Sequence, residues 1–443
     1  MILNMGPQHP STHGVLRVLL EIDGETVVRM MPDIGYLHTG IEKTCEAKFY
    51  QQVVPLTDRI DYLCPLTNNL CYVLAVEKLL GLEIPPKAQW LRVLLNELTR
   101  INSHLVWLGT HAMDIGALTV FLYCFREREE VLRMFEMVSG QRMMTSYFRV
   151  GGIALEPPLG FFDRVRDFAG YFPERIDQYE NLLTGNPIWM MRTKGVAVMS
   201  AEDAIALGAT GPTLRGSGVD IDLRRDMPYS SYEKFQFKVP VSQEGDVFAR
   251  YMCRVQELRE SVEIVRQALD GMPEGPIKAD APGVVLPDRE KMKTQMESLI
   301  YHFKIITEGF EVPAGEVYQA VESPRGEMGY YIVSDGTAKP YRVHMTPHEY
   351  FDQTGKPRIR AKDDPTATAP ASDPTTRQED LALAPTGAHL QAVHTAGLPL
   401  ISCSRYQSAV ITRPSSRLTR GHHPSTLRAR GASPRMRHIS FGR

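Results

Sequence analysis

No two of the six cysteines are spaced C-x-x-C, so neither a zinc ribbon nor a cluster held by this chain's own thiols is indicated. Cys45, Cys64, Cys71, Cys124, Cys253 and Cys403 stand apart from one another. The start, Met1-Ile2-Leu3-Asn4, lacks the basic stretch and apolar run of a secretory signal. Unpaired thiols without such a signal point to the cytosol. A charge excess is also missing: the net charge is −2 over 443 residues, which argues against a general nucleic-acid or anionic-membrane binder. The nucleotide-binding glycine fingerprints are absent, since Arg215-Gly-Ser-Gly218 has the wrong spacing.

The near-zero charge hides a split. Residues 1–345 carry 36 Lys+Arg and 45 Asp+Glu, whereas 346–443 carry 14 and 7. From Thr346 onward, helical and strand periodicity is lost and proline, serine, threonine and arginine dominate. Such a composition buries too little apolar surface to offset the entropy of ordering, so disorder is expected there.

Before that point the pattern predicts a mainly α chain with small β-sheets, an α+β fold. A β-hairpin is expected from Val15–Ile22 and Glu25–Met30 around an Asp23-Gly24 turn. Helices are expected over Asn69–Leu80, stopped by Gly81, from Pro86 to about Gly109, and over Ala117–Ser139 with a further stretch to Arg149. Others are expected over Asp163–Leu183, Val247–Leu269 and Asp288–Ile306. Ser200-Ala-Glu-Asp203 reads as a capping box. Strands return over 316–345. The chain is thus divided into an N-terminal α+β region (1–66), a helical bundle (67–315), a strand region (316–345) and the atypical tail (346–443). His104–Phe125, with one acidic residue and no Lys or Arg, is long enough for a membrane span. Dense charge on both sides and the interrupting Gly109 and Gly116 favour two buried helices instead.

Four places could carry chemistry. His9 and His13 lie in Gly6-Pro7-Gln8-His9-Pro10-Ser11-Thr12-His13-Gly14, a segment that its prolines keep from being helical. It can present imidazoles near neutral pH; the plainer reading is turn histidines bonded to backbone. Tyr62 in Asp58-Arg-Ile-Asp-Tyr62 is a phenol able to donate to a carbonyl oxygen, or an interfacial tyrosine. Asp114 sits in the most apolar stretch, where a carboxylate needs a partner. A histidine would make it a proton relay, and a helix-capping role after Gly116 is the alternative. Arg325 in Glu322-Ser-Pro-Arg325-Gly-Glu327 could hold Glu322 or anchor a neighbouring chain's carboxylate, and a structural ion pair is the plainer reading.

These words, in this order, resemble the 49-kDa/D subunit family of complex I, NADH–quinone oxidoreductase, over residues 5–345. The carrying motifs are Met5-Gly-Pro-Gln-His-Pro-Ser-Thr-His-Gly14, Gly35-Tyr-Leu-His-Thr-Gly40, Asp58-Arg-Ile-Asp-Tyr62, Ala75-Val-Glu-Lys78, His111-Ala-Met-Asp-Ile-Gly116 and Glu322-Ser-Pro-Arg-Gly-Glu-Met-Gly-Tyr-Tyr331.

The resemblance implies a [NiFe]-hydrogenase large-subunit-like helical bundle. Where a hydrogenase has its first C-x-x-C pair, this chain reads Asp61-Tyr-Leu-Cys64, with one thiol, so a nickel site cannot be built and no metal is expected. By resemblance, His13 and Tyr62 bond the carbonyl oxygens of a quinone, the substrate, and Asp114 pairs with His13. His38 and Thr39 would lie near a [4Fe-4S] cluster held by a neighbouring subunit. NAD and the iron–sulfur clusters would all be bound by other subunits, with no cofactor on this chain. The implied partners are the peripheral-arm and membrane-arm subunits, at the cytoplasmic face of a bacterial cell membrane, and no nucleic acid. Two departures stand out. Many relatives have a histidine where this chain has Met144, and the family's helical end is replaced after Met345 by the arginine-rich tail. A non-catalytic scaffold of the same fold is the alternative that the tail favours.

Overall fold

The structure, a computed structural model, describes residues 1–9, 16–24, 26–33 and 35–348. The expected disorder of the tail therefore falls almost entirely outside the described residues, as does His13.

The N-terminus forms a three-stranded antiparallel sheet, β1 (Ile2–Met5), β2 (Arg17–Asp23) and β3 (Thr26–Asp33), in the order β1-β2-β3. The expected hairpin is its β2–β3 half, with Asp23 facing Thr26 across the turn. The third strand goes beyond the expectation, because four residues of Ile2–Met5 carry no period of their own and are recruited by pairing with Val18–Glu21. One face closes over Leu16, Val18 and Leu20. Gly6 is fixed by geometry: its φ is +95°, and a Cβ there would stand 2.1 Å from the Leu16 carbonyl oxygen. Gly6 thus fixes how closely the chain leaving β1 approaches Leu16.

The bundle is arranged around α4 (Pro86–Ile115), with α3 (Pro65–Leu80), α5 (Leu118–Ser139), α6 (Phe161–Leu183) and α11 (Val247–Asp270) packed about it or about each other. Short helices α1 (Ile41–Glu46) and α2 (Tyr50–Thr57) precede it, and α7 (Pro187–Thr193), α8 (Ala201–Ala206), α9 (Gly211–Arg215) and α10 (Leu223–Asp226) lie between α6 and α11. Proline begins α3 and α4, where the missing N–H costs nothing, and left-handed Gly81 and Gly116 end them. The expected stop at Gly109 is wrong. α4 runs through it to Ile115, because Gly109 is a packing glycine: a Cβ would lie 3.4 Å from both Phe121 Cα and Cys124 Cβ on α5. The His104–Phe125 stretch is therefore the α4–α5 corner, with Leu105, Leu108, Ala112, Ile115, Val120 and Cys124 in the bundle core.

Two other helix expectations are corrected. Residues 141–147 do not extend α5. Ser146 takes φ +43° and gives its backbone N–H and hydroxyl to Asp58 Oδ2, both at 2.7 Å, and the chain turns into the short pair β4 (Phe148–Arg149) and β5 (Gly152–Ile153). Asp288–Ile306 divides into α12 (Arg289–Thr294) and α13 (Met296–Glu308), because Gln295 is extended at φ −124°. Ser200 caps α8 through its side chain: its Oγ accepts from Asp203 N, while the Asp203 carboxylate bonds the Ser200 hydroxyl rather than the backbone N–H that completes a capping box.

A second antiparallel sheet, β6 (Gly315–Ser323), β7 (Gly326–Ser334) and β8 (Arg342–His348), lies on α3. Cys71 of α3 donates to the carbonyls of Gln319 and Met328 across that contact. β8 continues to His348, past the expected loss of pattern, because its backbone pairs with β7 down to Glu327↔His348.

Candidate functional site

Tyr62 stands on the turn between α2 and α3, and the turn is held from beneath. Its neighbour Asp61 is fully buried. Asp61 accepts from Leu63 N (3.0 Å) and from the Cys64 thiol (2.8 Å), and its carboxylate meets Arg325 Nε at 3.4 Å. Asn68 Nδ2 donates to the Asp61 carbonyl and Asn102 Nδ2 to the Leu63 carbonyl. With Asp61, Leu63 and Cys64 drawn inward, alternation of the turn drives the Tyr62 phenol outward, 42 % exposed. Arg325 is therefore a structural ion pair as expected, but its partner is Asp61. Glu322 instead accepts from Arg215. The Pro324-Arg325 hairpin turn points the two side chains apart, and sequence proximity could not show that.

The place where a hydrogenase-type thiol would act is unsuited to a soft metal. Burial pushes the Cys64 thiol well above its ordinary value, with Asp61 adding repulsion, so the thiolate that such a metal needs is disfavoured. Among the described residues no group of three or more His, Cys, Asp or Glu side chains is placed to hold a metal ion.

Asp114 occupies the last turn of α4, half-buried. The helix-cap alternative fails, because α5 begins at Leu118 with Ala117 in the N-cap position. Asp114 is twelve residues beyond Asn102, which holds the Tyr62 turn. Those residues correspond to about 18 Å of helical rise. The two groups are thus set apart by one rigid helix rather than sharing a turn of it. His111, one turn before Asp114, is buried, stacked on Trp107 and edge-on to Trp189. His38 and Thr39 are exposed on the connection from β3 to α1, with His38 N bonded to the Gly35 carbonyl. Two large cavities, about 1040 and 400 Å³, open between α13, residues 276–288 and β5 and include none of these residues.

Sequence reasoning missed the buried ionic network behind the turn. Glu97, Arg100 and His104 on α4 meet Arg215 of α9, Asp222 and Arg224 at α10, Glu257 of α11 and Glu322 of β6, all buried. Arg215 bonds both Glu257 and Glu322, and Arg224 bonds Asp222 (2.7 Å) and Glu97 (3.2 Å). His104 Nε2 lies 2.7 Å from Glu257 Oε2. Burial opposes the charge on Glu257, yet Arg215 and His104 hold its carboxyl well below the usual range. Burial pushes His104 down against its bond to Glu257. The residues come from five separate segments, and the only signal in the sequence was the occurrence of charges at apolar helical positions.

The fold and this site define a type of α+β subunit: a helical bundle with an outward phenol on a turn clamped by a buried carboxylate and arginine. A family model described as the 49-kDa subunit of respiratory-chain NADH dehydrogenase matches residues 114–361, reaching beyond the Met345 at which the recognised motifs end. The chain is 82 % identical over 345 residues to the D-type subunit numbered 2 of the NADH-quinone oxidoreductase of Koribacter versatilis, covering 78 % of this chain and 86 % of the relative. It is 69 % identical over 359 residues to the D-type subunit numbered 1 from Solibacter usitatus (81 % and 88 % covered), and 59 % over 352 residues to the D-type subunit from Geotalea uraniireducens (80 % and 90 %). The chain belongs to the 49-kDa subunit family of respiratory-chain NADH dehydrogenase and is a subunit of an oxidoreductase complex. Among the described residues no helix is long and apolar enough to cross a membrane.

Proposed function

We propose that this chain is the quinone-site subunit of the peripheral arm of NADH–quinone oxidoreductase, attached at the cytoplasmic face of the membrane. The observation that carries the reading is the Tyr62 turn: a phenol aimed outward while three buried groups fix the Asp61 carboxylate beneath it. A quinone taking up two electrons must also take up two protons, one at each oxygen. Tyr62 is assigned to one oxygen as donor, and His13 to the other. Asp114 is assigned to hold His13 in its protonated form. A [4Fe-4S] cluster of a neighbouring subunit, beside His38 and Thr39, supplies the electrons, and no cofactor is held by this chain. Once His13 gives up its proton, Asp114 loses its cation. That change of charge is the step by which reduction is coupled to proton translocation.

The test uses the assembled complex. His13→Ala and Tyr62→Phe are expected to cut quinone turnover by roughly 10²-fold or more, the usual worth of a positioned proton donor, while electron transfer to artificial acceptors upstream stays intact. Asp114→Asn is expected to reduce quinone turnover more than Asp288→Asn. Unchanged quinone turnover in both His13→Ala and Tyr62→Phe refutes the assignment.

A further inference from the structure

Arg149 and Lys278 stand side by side at the wall of an apolar hollow. Arg149 of β4 faces Gly152 of β5, and Gly152 in turn faces Lys278 in an isolated antiparallel bridge. Residues directly opposite one another in an antiparallel ladder lie on one face, so both side chains rise from the same face. They start about 10 Å apart, two strand spacings, and Gly152 puts no side chain between them. The backbone beneath them is fixed. Buried Arg92 donates to the carbonyls of Arg149 (3.0 Å) and Gly152 (2.9 Å), and its partner Glu77 accepts from Gly151 N (2.8 Å). Ile153 N donates to the Ile277 carbonyl and Ala279 N to the Gly151 carbonyl, which holds Lys278 against β5. Neither cation is fully engaged. Arg149 has no ion pair among the described residues, and Asp58 attracts it only from farther off. Lys278 Nζ lies 3.7 Å from the exposed Asp288.

Both cations line the smaller of the two large cavities, about 400 Å³. The rest of its wall is mainly apolar, with Val54 of α2, Ile153 of β5, Val284, Leu286, Ile306 of α13 and Phe310. Gln51 ties two of these walls together, its Nε2 donating to the Ile305 carbonyl of α13 (2.7 Å). At roughly 30 Å³ per heavy atom, the share of one liquid water, such a space takes on the order of a dozen heavy atoms. The adjoining cavity of about 1040 Å³ shares Lys278 but is lined by five carboxylates, Glu83, Glu156, Asp280, Asp288 and Glu297, against Lys278 and Lys291. An anionic head is therefore repelled from the larger cavity and drawn to the Arg149 side of Lys278.

We propose that the smaller cavity binds a medium-chain alkyl carboxylate, with its head over Gly152 between Arg149 and Lys278 and its tail along the apolar wall. A guanidinium presents two donors in the plane of the two carboxylate oxygens, and each methylene removed from water adds to the binding. An uncharged ligand would leave both cations unserved, and a two-chain phospholipid exceeds the volume. The ligand would touch α2, β4, β5 and α13 at once and so brace them against one another. Neither Tyr62 nor Asp114 lines this cavity, so the site is independent of the quinone reading.

The experiment is isothermal titration calorimetry of the purified full chain with decanoate, nonanoate and octanoate below their micelle concentrations. Octanol supplies the tail of octanoate without its charge. Decanoate is expected to fill one saturable site, with affinity falling roughly fourfold for each methylene removed and octanol binding roughly tenfold more weakly than octanoate. Lys278→Gln and Arg149→Gln are each expected to weaken decanoate roughly tenfold, the worth of one charged hydrogen bond. Ala154→Phe, which puts a ring into the cavity that Ala154 lines, is expected to abolish binding. Phe303 of α13 is 63 % exposed and lies outside the cavity, so Phe303→Ser is expected to leave binding unchanged. Three results overturn the proposal: no saturable decanoate binding by the unmodified chain, octanol as tight as octanoate, or binding that survives Ala154→Phe. Loss of binding in Phe303→Ser also overturns it, since the ligand would then be adsorbed on the outer face of α13. The variants are compared at unchanged circular dichroism; if Arg149→Gln alters it, Lys278→Gln decides the charge requirement, and undiminished decanoate binding there overturns the proposal.

Discussion

Residue by residue, this chain uses burial to set what its acidic groups can do. Asp58 and Asp61 are three apart, and both are fully buried, yet they are treated differently. Asp61 has a cation and a thiol against it. Asp58 has two bonds from Ser146, and burial pushes its pKa up to about 6 despite those bonds and the more distant Arg59 and Arg149. A folded-state value above the unfolded one means that the native state binds the extra proton. The stabilisation is full below about pH 4 and is lost as pH rises through about 6. The rise from 3.8 to about 6 corresponds to roughly 3 kcal/mol, an upper figure for a partly relaxed site. Asp58→Asn should remove this dependence: the denaturation midpoint, measured from pH 4 to 7, should fall with pH in the parent and stay flatter in the variant. A parallel pair of curves would show that Asp58 is ionised in both states.

Among helices and strands, the decisive feature is where a glycine permits a close approach. Gly109 lets α4 and α5 meet and turns an apparent helix end into a helix interior. Gly6 does the same for the N-terminal sheet, where the Leu16 carbonyl occupies the space a methyl group would need. Gly6→Ala combines that clash with a strained positive φ, worth of order 1–3 kcal/mol locally. The sheet's core of Leu16, Val18 and Leu20 is separate from the bundle core, so the damage should stay local. Quinone turnover of the assembled complex is expected to drop while the thermal midpoint of the bundle is held within about 2 °C, since a local loss of this kind does not reach the global transition. A large fall of the bundle midpoint would show that the sheet and bundle unfold together. The broken α12–α13 pair shows the limit of periodicity: the charged-and-apolar spacing runs on through Gln295, but the backbone does not. α13 leaves Met296, Leu299, Ile300, Phe303 and Ile306 at least 46 % exposed.

Across the molecule, the ionic network ties α4, α9, α10, α11 and β6 into one body. Arg215 is its hub, fully buried between Glu257, Glu322 and Asp222. Removing it leaves carboxylates in the interior without their cation, a loss of about 3–5 kcal/mol for a buried pair broken on one side. Arg215→Leu is therefore expected to lower the thermal midpoint strongly, and Arg215→Lys to recover only part of it, because lysine lacks the planar fork by which Nη1 reaches Glu322 and Nη2 reaches Glu257. A near-neutral Arg215→Leu would mean that Glu257 or Glu322 is protonated in the folded chain. Glu322 is the better candidate, since burial pushes its pKa up while Glu257 is held down.

The fold class and most of the elements were legible in the order of residues alone. Proline in the first turn opened α4 and glycine after the last residue closed α3, apolar spacing marked α6 and α11, and a few fixed words such as Asp58-Arg-Ile-Asp-Tyr62 carried the family. Those signals are local, because a helix cap or an apolar stripe is written in neighbouring residues. Packing in three dimensions was needed to assign Arg325 to Asp61 and Glu322 to Arg215, to put Gly109 inside a helix, and to turn residues 141–147 away from one. Each of these depends on a contact across the chain: a carboxylate 88 residues away capturing Ser146, or a neighbouring helix filling the space beside Gly109. The lone Cys64 belongs to both levels. Its missing partner was legible in the sequence, whereas the burial that raises its thiol pKa, with Asp61 adding to it, was set by packing.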